Sequence, residues 1–305
     1  MFSNSDMNDI EKETRKLYHK IHKIQGDDPF IFNRMVDLLN TKYLKVDKNF
    51  FTNKLCLDAG CGSNANATYS MLRMGAKKVH AMDLDESIFE SIPKYLKEFD
   101  GKYEINTGSV LDLSYPDNFF DFTHCSGVLH STGDVFRGFK ELARVTKVGG
   151  ILYTMTWGKG GLIREIIGLL REKYKKDPEF KSQIDNLEIN QFTDFFDWLA
   201  LMLDSRDNDM KDMISSKKFR KLFDVDLILT LKDRIATPIY DENSEEEIVE
   251  WLENNGFSKI ERLGRYPKYK NIRRMLSPIF YHYDSKFSKF LFGSGHVQIK
   301  AVKMK

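Results

Sequence analysis

The chain has 305 residues, 41% of them hydrophobic, with 47 Lys and Arg against 45 Asp and Glu, a formal net charge of +2. That length and apolar content suffice to bury a core, which excludes a wholly disordered chain. The near-balance of charge gives no footing for a polyanion, so no nucleic-acid partner is expected.

The first residues, MFSNSDMNDIEKETRK, lack the apolar centre of a signal peptide, and no run approaches the roughly 20 apolar residues of a spanning helix. A cytoplasmic chain without membrane insertion is expected. Three cysteines, Cys56, Cys61 and Cys125, suit neither a disulfide framework nor a zinc site and read as reduced thiols. Ile10, Leu17, Tyr18, Ile21 and Ile24, then Phe32, Met35, Val36, Leu39 and Tyr43, recur near the helical period. They predict two helices parted by Pro29 within an N-terminal region of residues 1–50.

The stretch KLCLDAGCGS, Lys54 to Ser63, is an apolar run that ends on Asp58 and breaks into a glycine turn. It reads as a strand feeding a nucleotide-binding loop, with Gly60 and Gly62 allowing positive φ and close backbone approach and Ala65 third in a G-x-G-x-x-G/A pattern. Asp83 ends the next apolar run, VHAMD, where a carboxylate can take both hydroxyls of a ribose. Dinucleotides and S-adenosylmethionine both suit these features. Asp58 favours the second, because a carboxylate there would repel a diphosphate and attract an ammonium and a sulfonium.

Strands near Leu55–Leu57, Val79–Met82, Tyr103–Asn106, Phe120–Cys125 and Ile151–Thr156 alternate with helices, one of them at Val135–Val145. Such alternation predicts a doubly wound α/β fold whose ligands sit at the carboxyl ends of a parallel sheet.

LDAGCGS, MDLD and the run from Gly108 to Gly150 resemble the motifs of class I, Rossmann-like S-adenosylmethionine-dependent methyltransferases, in register from about Leu55 to Trp157. The resemblance resumes near Ser244, where a capping box opens a helix, followed by strands at Phe257–Glu261 and His296–Lys303. It implies a mostly parallel seven-stranded sheet with an antiparallel last strand, built from residues 51–157 and 242–305, and N-terminal helices that cap the cofactor. Asn64 stands where that family often has another glycine, and Asn tolerates a left-handed φ.

By the same resemblance, S-adenosylmethionine, leaving as S-adenosylhomocysteine, is held by Asp58, Ala59, Gly60, Cys61, Gly62, Asp83, Leu84, Ser109, Val110 and Ser126. Asp83 takes the ribose, Asp58 the methionine end, and Ser109 or Val110 the adenine. His130, just after the fourth strand, is the candidate general base, with packing over the cofactor as the alternative. Trp157, Phe192, Phe196, Tyr240, Tyr281 and Arg273 are candidates to line the acceptor's pocket. No His/Asp/Glu spacing suits a metal.

Residues 158–241 interrupt the pattern at the ligand-binding edge and are expected to form a lid that sets acceptor specificity, or else a homodimer interface. They carry two apolar stripes, Ile163, Ile166, Ile167 and Leu170, then Phe192, Phe195, Phe196, Leu199, Met202 and Leu203, and a possible strand at Val225–Leu231. A small-molecule methyltransferase is the leading expectation. A lipid or quinone-like acceptor and a non-catalytic cofactor-binding scaffold are the alternatives, with an NAD-dependent oxidoreductase behind them.

Overall fold

A computed structural model describes residues 8–26, 32, 35, 36, 38–187, 197, 198, 201, 202, 212, 231–264 and 286–305. Its centre is a seven-stranded sheet of β1 (Leu55–Ala59), β2 (Lys78–Asp83), β3 (Tyr103–Thr107), β4 (Phe120–Ser126), β5 (Thr146–Trp157), β6 (Phe257–Arg262) and β7 (His296–Lys303), in the order β3-β2-β1-β4-β5-β7-β6. Strands β1 to β5 pair in parallel, and β7 runs antiparallel between β5 and β6. The central strands are apolar on both faces because helices cover both.

Two core layers result. One packs α5 (Val135–Val145) and α8 (Glu245–Asn254) against the sheet through Phe139, Leu142, Ile248 and Leu252; Leu57, Phe120 and Ile299 are its sheet residues. The other packs α3 (Asn66–Arg73) and α4 (Ile88–Leu96) through Met71, Ile88 and Ile92 against Cys56, Val79 and Phe122. Sequence-local devices start the helices. Asp134 accepts from the backbone N–H of Arg137 at 3.0 Å, and Ser244 and Glu247 form the expected capping box.

Strand order reverses between β1 and β4, whose onward connections leave in opposite directions, and the crevice opens at their carboxyl ends. Helix α1 (Asp9–Gly26) lies over that crevice. Of the second expected N-terminal helix the described residues show a short one, α2 (Thr41–Leu44), capped by the Asn40 side chain.

The chain leaves the sheet after Trp157 and returns beside the same point. Gly158 and Asn243 form an isolated bridge, and the Asn243 N–H donates to the Trp157 carbonyl at 3.0 Å. The excursion begins with α6 (Leu162–Lys176) and α7 (Pro178–Asp185) and ends in a π-helical turn, Lys232–Ala236. Phe192, Phe195, Phe196, Leu199, Leu203, Arg273 and Tyr281 lie outside the described residues, as does the possible strand at 225–231 except Leu231, which is helical. A last helix, α9 (Lys286–Phe292), precedes β7. Among the described residues no helix is long and apolar enough to cross a membrane.

Candidate active site

Two adjoining cavities occupy the sheet's carboxyl edge. The first is lined by Gly60, Gly62, Asp83, Leu84, Ser109 and Val110 from the β1, β2 and β3 ends, and by Ser126 to Val128 after β4. Helix α1 closes it with Glu11, Thr14, Arg15, Tyr18 and His22. The second cavity shares Gly60 and Ser126 and extends over Asp58, Cys61, His124, Tyr153, Met155 and His296, with Met35, Leu38 and Leu39 on its far wall.

The turn after β1 owes its shape to two glycines. Gly60 has φ +75° and packs so closely on Val128 that a Cβ there would clash with its side chain. Gly62, at φ +66°, donates its N–H to Asp83 Oδ2 at 3.0 Å, tying the glycine loop to the acid that ends β2. Asn64 does not use its tolerance of a left-handed φ: the left-handed residue is its neighbour Ala65, at φ +44°, buried at the start of α3.

Asp58 lines the second cavity and is nearly consumed by protein partners. Its Oδ2 accepts from the Thr68 N–H at 2.9 Å and from Thr68 Oγ1 at 2.7 Å, and Oδ1 accepts from His124 Nδ1 at 2.8 Å. Cys61 is buried, which pushes its thiol well above the usual range. Ala59 is fully buried in β1 and lines neither cavity. Ser109 donates to Glu11 of α1 and accepts from the Leu111 N–H at 3.0 Å.

The helix over the first cavity is latched by charge. Asp85, two residues past the end of β2, has 0% exposure. Nδ1 of His19 donates to its Oδ1 at 2.8 Å and Nδ1 of His22 to its Oδ2 at 3.0 Å, with Ser87 Oγ as a further donor. Burial alone would raise the Asp85 carboxyl, but the bonds from His22, Ser87 and His19 outweigh it and hold the group well below the ordinary carboxylate range. Burial likewise opposes charge on His22, yet Asp83 and Asp85 together raise its pKa. Arg15 pairs with Glu86 at 2.5 Å, and half-buried Tyr18 donates to Asp233 of the π-helical turn. The helix was legible in sequence; the pairing of its His19 and His22 with Asp85 was not.

His130 stands apart from both cavities. It is 1% exposed and stacks on Trp157 at 4.2 Å, with ring planes 14° apart. Burial, with Arg164 and Arg234 adding to it, lowers its pKa to about 3, so it stays neutral at physiological pH. The geometry therefore favours packing over proton abstraction. Trp157 and Tyr240 come together, ring centroids 3.9 Å apart, but they face each other and Arg164, whose guanidinium lies 4.8 Å and 5.0 Å from their centres. Neither ring lines either of these two cavities.

No described residue of the 158–241 excursion lines either cavity. It braces the wall instead, through Asp233 on Tyr18 and through the Asp241 N–H on the His130 carbonyl at 2.8 Å. Among the described residues no group of three or more His, Cys, Asp or Glu could hold a metal.

The residues fit S-adenosylmethionine. The glycine turn leaves room for a ligand against backbone, Asp83 faces the first cavity from the end of β2, and Ser131 Oγ, buried on the same wall, has no hydrogen-bond partner. Comparison with known proteins agrees. Residues 57–154 match the methyltransferase-domain family. The chain is 26% identical over 121 residues to a ubiquinone/menaquinone biosynthesis C-methyltransferase of Bdellovibrio bacteriovorus, covering 40% of this chain and 51% of that protein. It is 27% identical over 143 residues to a demethylmenaquinone methyltransferase of Geobacillus stearothermophilus, covering 43% and 60%. The chain thus spans between half and two thirds of these relatives. In fold it is similar, at TM-score 0.51 and 10% identity over 96% of this chain and 98% of the other, to a chain of the complex between the Haloferax volcanii Trm112 methyltransferase activator and a protein assigned as a methyltransferase.

Proposed function

Because this chain belongs to the class I, Rossmann-like S-adenosylmethionine-dependent methyltransferases, we propose that its first cavity takes S-adenosylmethionine and its second a small-molecule acceptor. The observation that carries this reading is that two cavities of different make meet at Gly60 and Ser126, on the strand ends where ligands of such sheets bind. Bound S-adenosylmethionine would supply an electrophilic methyl carbon. Asp83 would accept from its ribose hydroxyls, Gly60 and Gly62 would give it backbone approach, and Ser109 or Val110 would meet its adenine. Helix α1, held down by His19 and His22, excludes water from that cavity, and residues 158–241 act on it by bracing α1. Alignment of the acceptor in near-attack geometry contributes on the order of 7 to 11 kcal/mol in such a site.

A quinone-like acceptor is supported by Met35, Leu38, Leu39 and Met155, which give the second cavity an apolar wall, and by the two quinone-modifying relatives. Calorimetry with S-adenosylmethionine, S-adenosylhomocysteine and NAD tests the cofactor. Methyl-labelled S-adenosylmethionine with a panel of quinols, phenols and amines, read by mass spectrometry, tests the acceptor. Saturable binding of the first two ligands and label on an apolar quinol are expected. Binding of NAD alone overturns the proposal, and cofactor binding with no transfer to any small molecule favours the scaffold.

A further inference from the structure

The second cavity holds a paired carboxylate and imidazole, Asp58 and His124, and Asp58, expected from sequence at the methionine end of the cofactor, spends its oxygens on partners within the protein. Asp58 and His124 are Cα partners in the parallel pairing of β1 with β4, so their side chains stand side by side on one face of the sheet. Asp58 is 1% exposed, and its Oδ1 accepts from Nδ1–H of His124 at 2.8 Å. A carboxylate can only accept, so this bond fixes the tautomer and leaves the lone pair of the neutral ring on Nε2. Among the described residues Nε2 has no hydrogen-bond partner, and His124 lines the second cavity. The ring is held flat against Tyr153, 5.1 Å between centroids and 6° between planes. Tyr153 in turn bonds Tyr43 at 3.1 Å and Gln298 at 3.3 Å. Orientation, tautomer and access are therefore all set, which is what a general base requires.

We propose that Asp58 and His124 form a base dyad, with His124 Nε2 taking the proton of the acceptor's nucleophile; the inference rests on the methyl-transfer reading and deepens it. In the step so assigned, the nucleophile's O–H, N–H or acidic C–H bond breaks and its proton goes to Nε2. The electron pair on the nucleophile forms the bond to the methyl carbon, while the carbon–sulfur bond breaks with its pair left on sulfur. One positive charge disappears at sulfur and one appears on the imidazolium, beside the buried Asp58 carboxylate. No oxidant or reductant is needed. Thr68, through its N–H and Oγ1, keeps Asp58 in place throughout. The acceptors that fit are weak acids, such as quinols and phenols, whose nucleophile gains most from losing its proton.

The test begins with diethyl pyrocarbonate on the full-length protein saturated with S-adenosylhomocysteine, because that reagent acylates an accessible, unprotonated imidazole nitrogen and needs no acceptor. Peptide mass spectrometry should find His124 modified and His130 untouched. A His124 that stays unmodified has no open Nε2, and the proposal falls. The variants His124→Gln and His124→Asn, checked by circular dichroism, should bind S-adenosylhomocysteine within about twofold of wild type, since the dyad faces the other cavity. With 1,4-naphthohydroquinone and methyl-labelled S-adenosylmethionine, kcat should drop by roughly 10²-fold or more in both, with KM for the cofactor unchanged. A kcat within threefold of wild type in a folded variant overturns the dyad. Failure of the wild type to bind S-adenosylhomocysteine would instead overturn the methyl-transfer reading itself.

Discussion

The helix over this site and the excursion that braces it are held differently. Helix α1 is fastened by buried and part-buried charge-assisted bonds: His19 and His22 on Asp85, Glu11 with Ser109, Tyr18 with Asp233. At the start of the excursion, Arg171 of α6 donates to the carbonyls of Arg234 at 3.0 Å, Ile235 at 3.4 Å and Pro238 at 3.3 Å. Much of its apolar surface stays in solvent: Leu162, Ile166 and Leu169 are 41%, 44% and 72% exposed. Trp198, Leu201 and Met202, farther along the excursion, are exposed too. A wall over a cofactor must close in one geometry, and directional bonds to buried partners specify one; an apolar face tolerates several.

The sharpest way to break the contrast is to cut the α1 latch. Asp85→Ala leaves two imidazoles facing a buried gap and should lower unfolding stability by about 3 kcal/mol, as expected when one partner of a buried pair is removed. Urea denaturation measures it, and a loss under 1 kcal/mol would mean that α1 rests on its other contacts. Asp83→Ala should weaken S-adenosylhomocysteine binding by about 1.5 to 3 kcal/mol in calorimetry, with little change in melting temperature. Arg171→Met, in the excursion, leaves three carbonyls short of a donor and should cost about 1 to 2 kcal/mol in stability while leaving cofactor affinity intact.

The latch also sets a pH dependence with a definite sign. Asp85 has a depressed pKa, so its contribution is complete above about pH 4, the unfolded value, and is lost as pH falls through the folded one. His22 has a raised pKa, so its contribution is complete below about pH 6.5 and is lost as pH rises through the folded value. Wild-type stability should therefore decline as pH rises above about 6.5, and Asp85→Asn should flatten that decline in thermal melts between pH 5.5 and 8.5. The smallest effect belongs to the open face of α6. Ile166→Gln should shift stability by no more than about 0.5 kcal/mol, the usual range for surface substitutions; a larger loss would show that this face is covered.

Local pattern settled most of the framework. Short apolar runs and their punctuation gave the five parallel strands to within five residues at either end, because a parallel sheet covered on both sides demands continuous apolar segments, and the family resemblance gave His296–Lys303 to the residue. The glycine turn and Asp83 were legible for the same reason, since the strain and the charge they carry are properties of the residues themselves. Three things waited on the fold. The burial of Asp85 was not legible, because nothing in its neighbourhood reveals that His19 and His22, 66 and 63 residues earlier, will bond it. His124 passed unnoticed inside an apolar strand; only the register of β4 on β1 sets it beside Asp58, and register is a contact between distant segments. His130 sat in the right motif, yet it is buried against Trp157, and that burial, with the Arg164 and Arg234 guanidiniums nearby, keeps it neutral. Sequence determines which groups exist and which elements carry them, because propensity and periodicity are local. Which of those groups lose water, and which gain a partner, depends on desolvation and pairing across the whole chain, and the tertiary structure alone decides it.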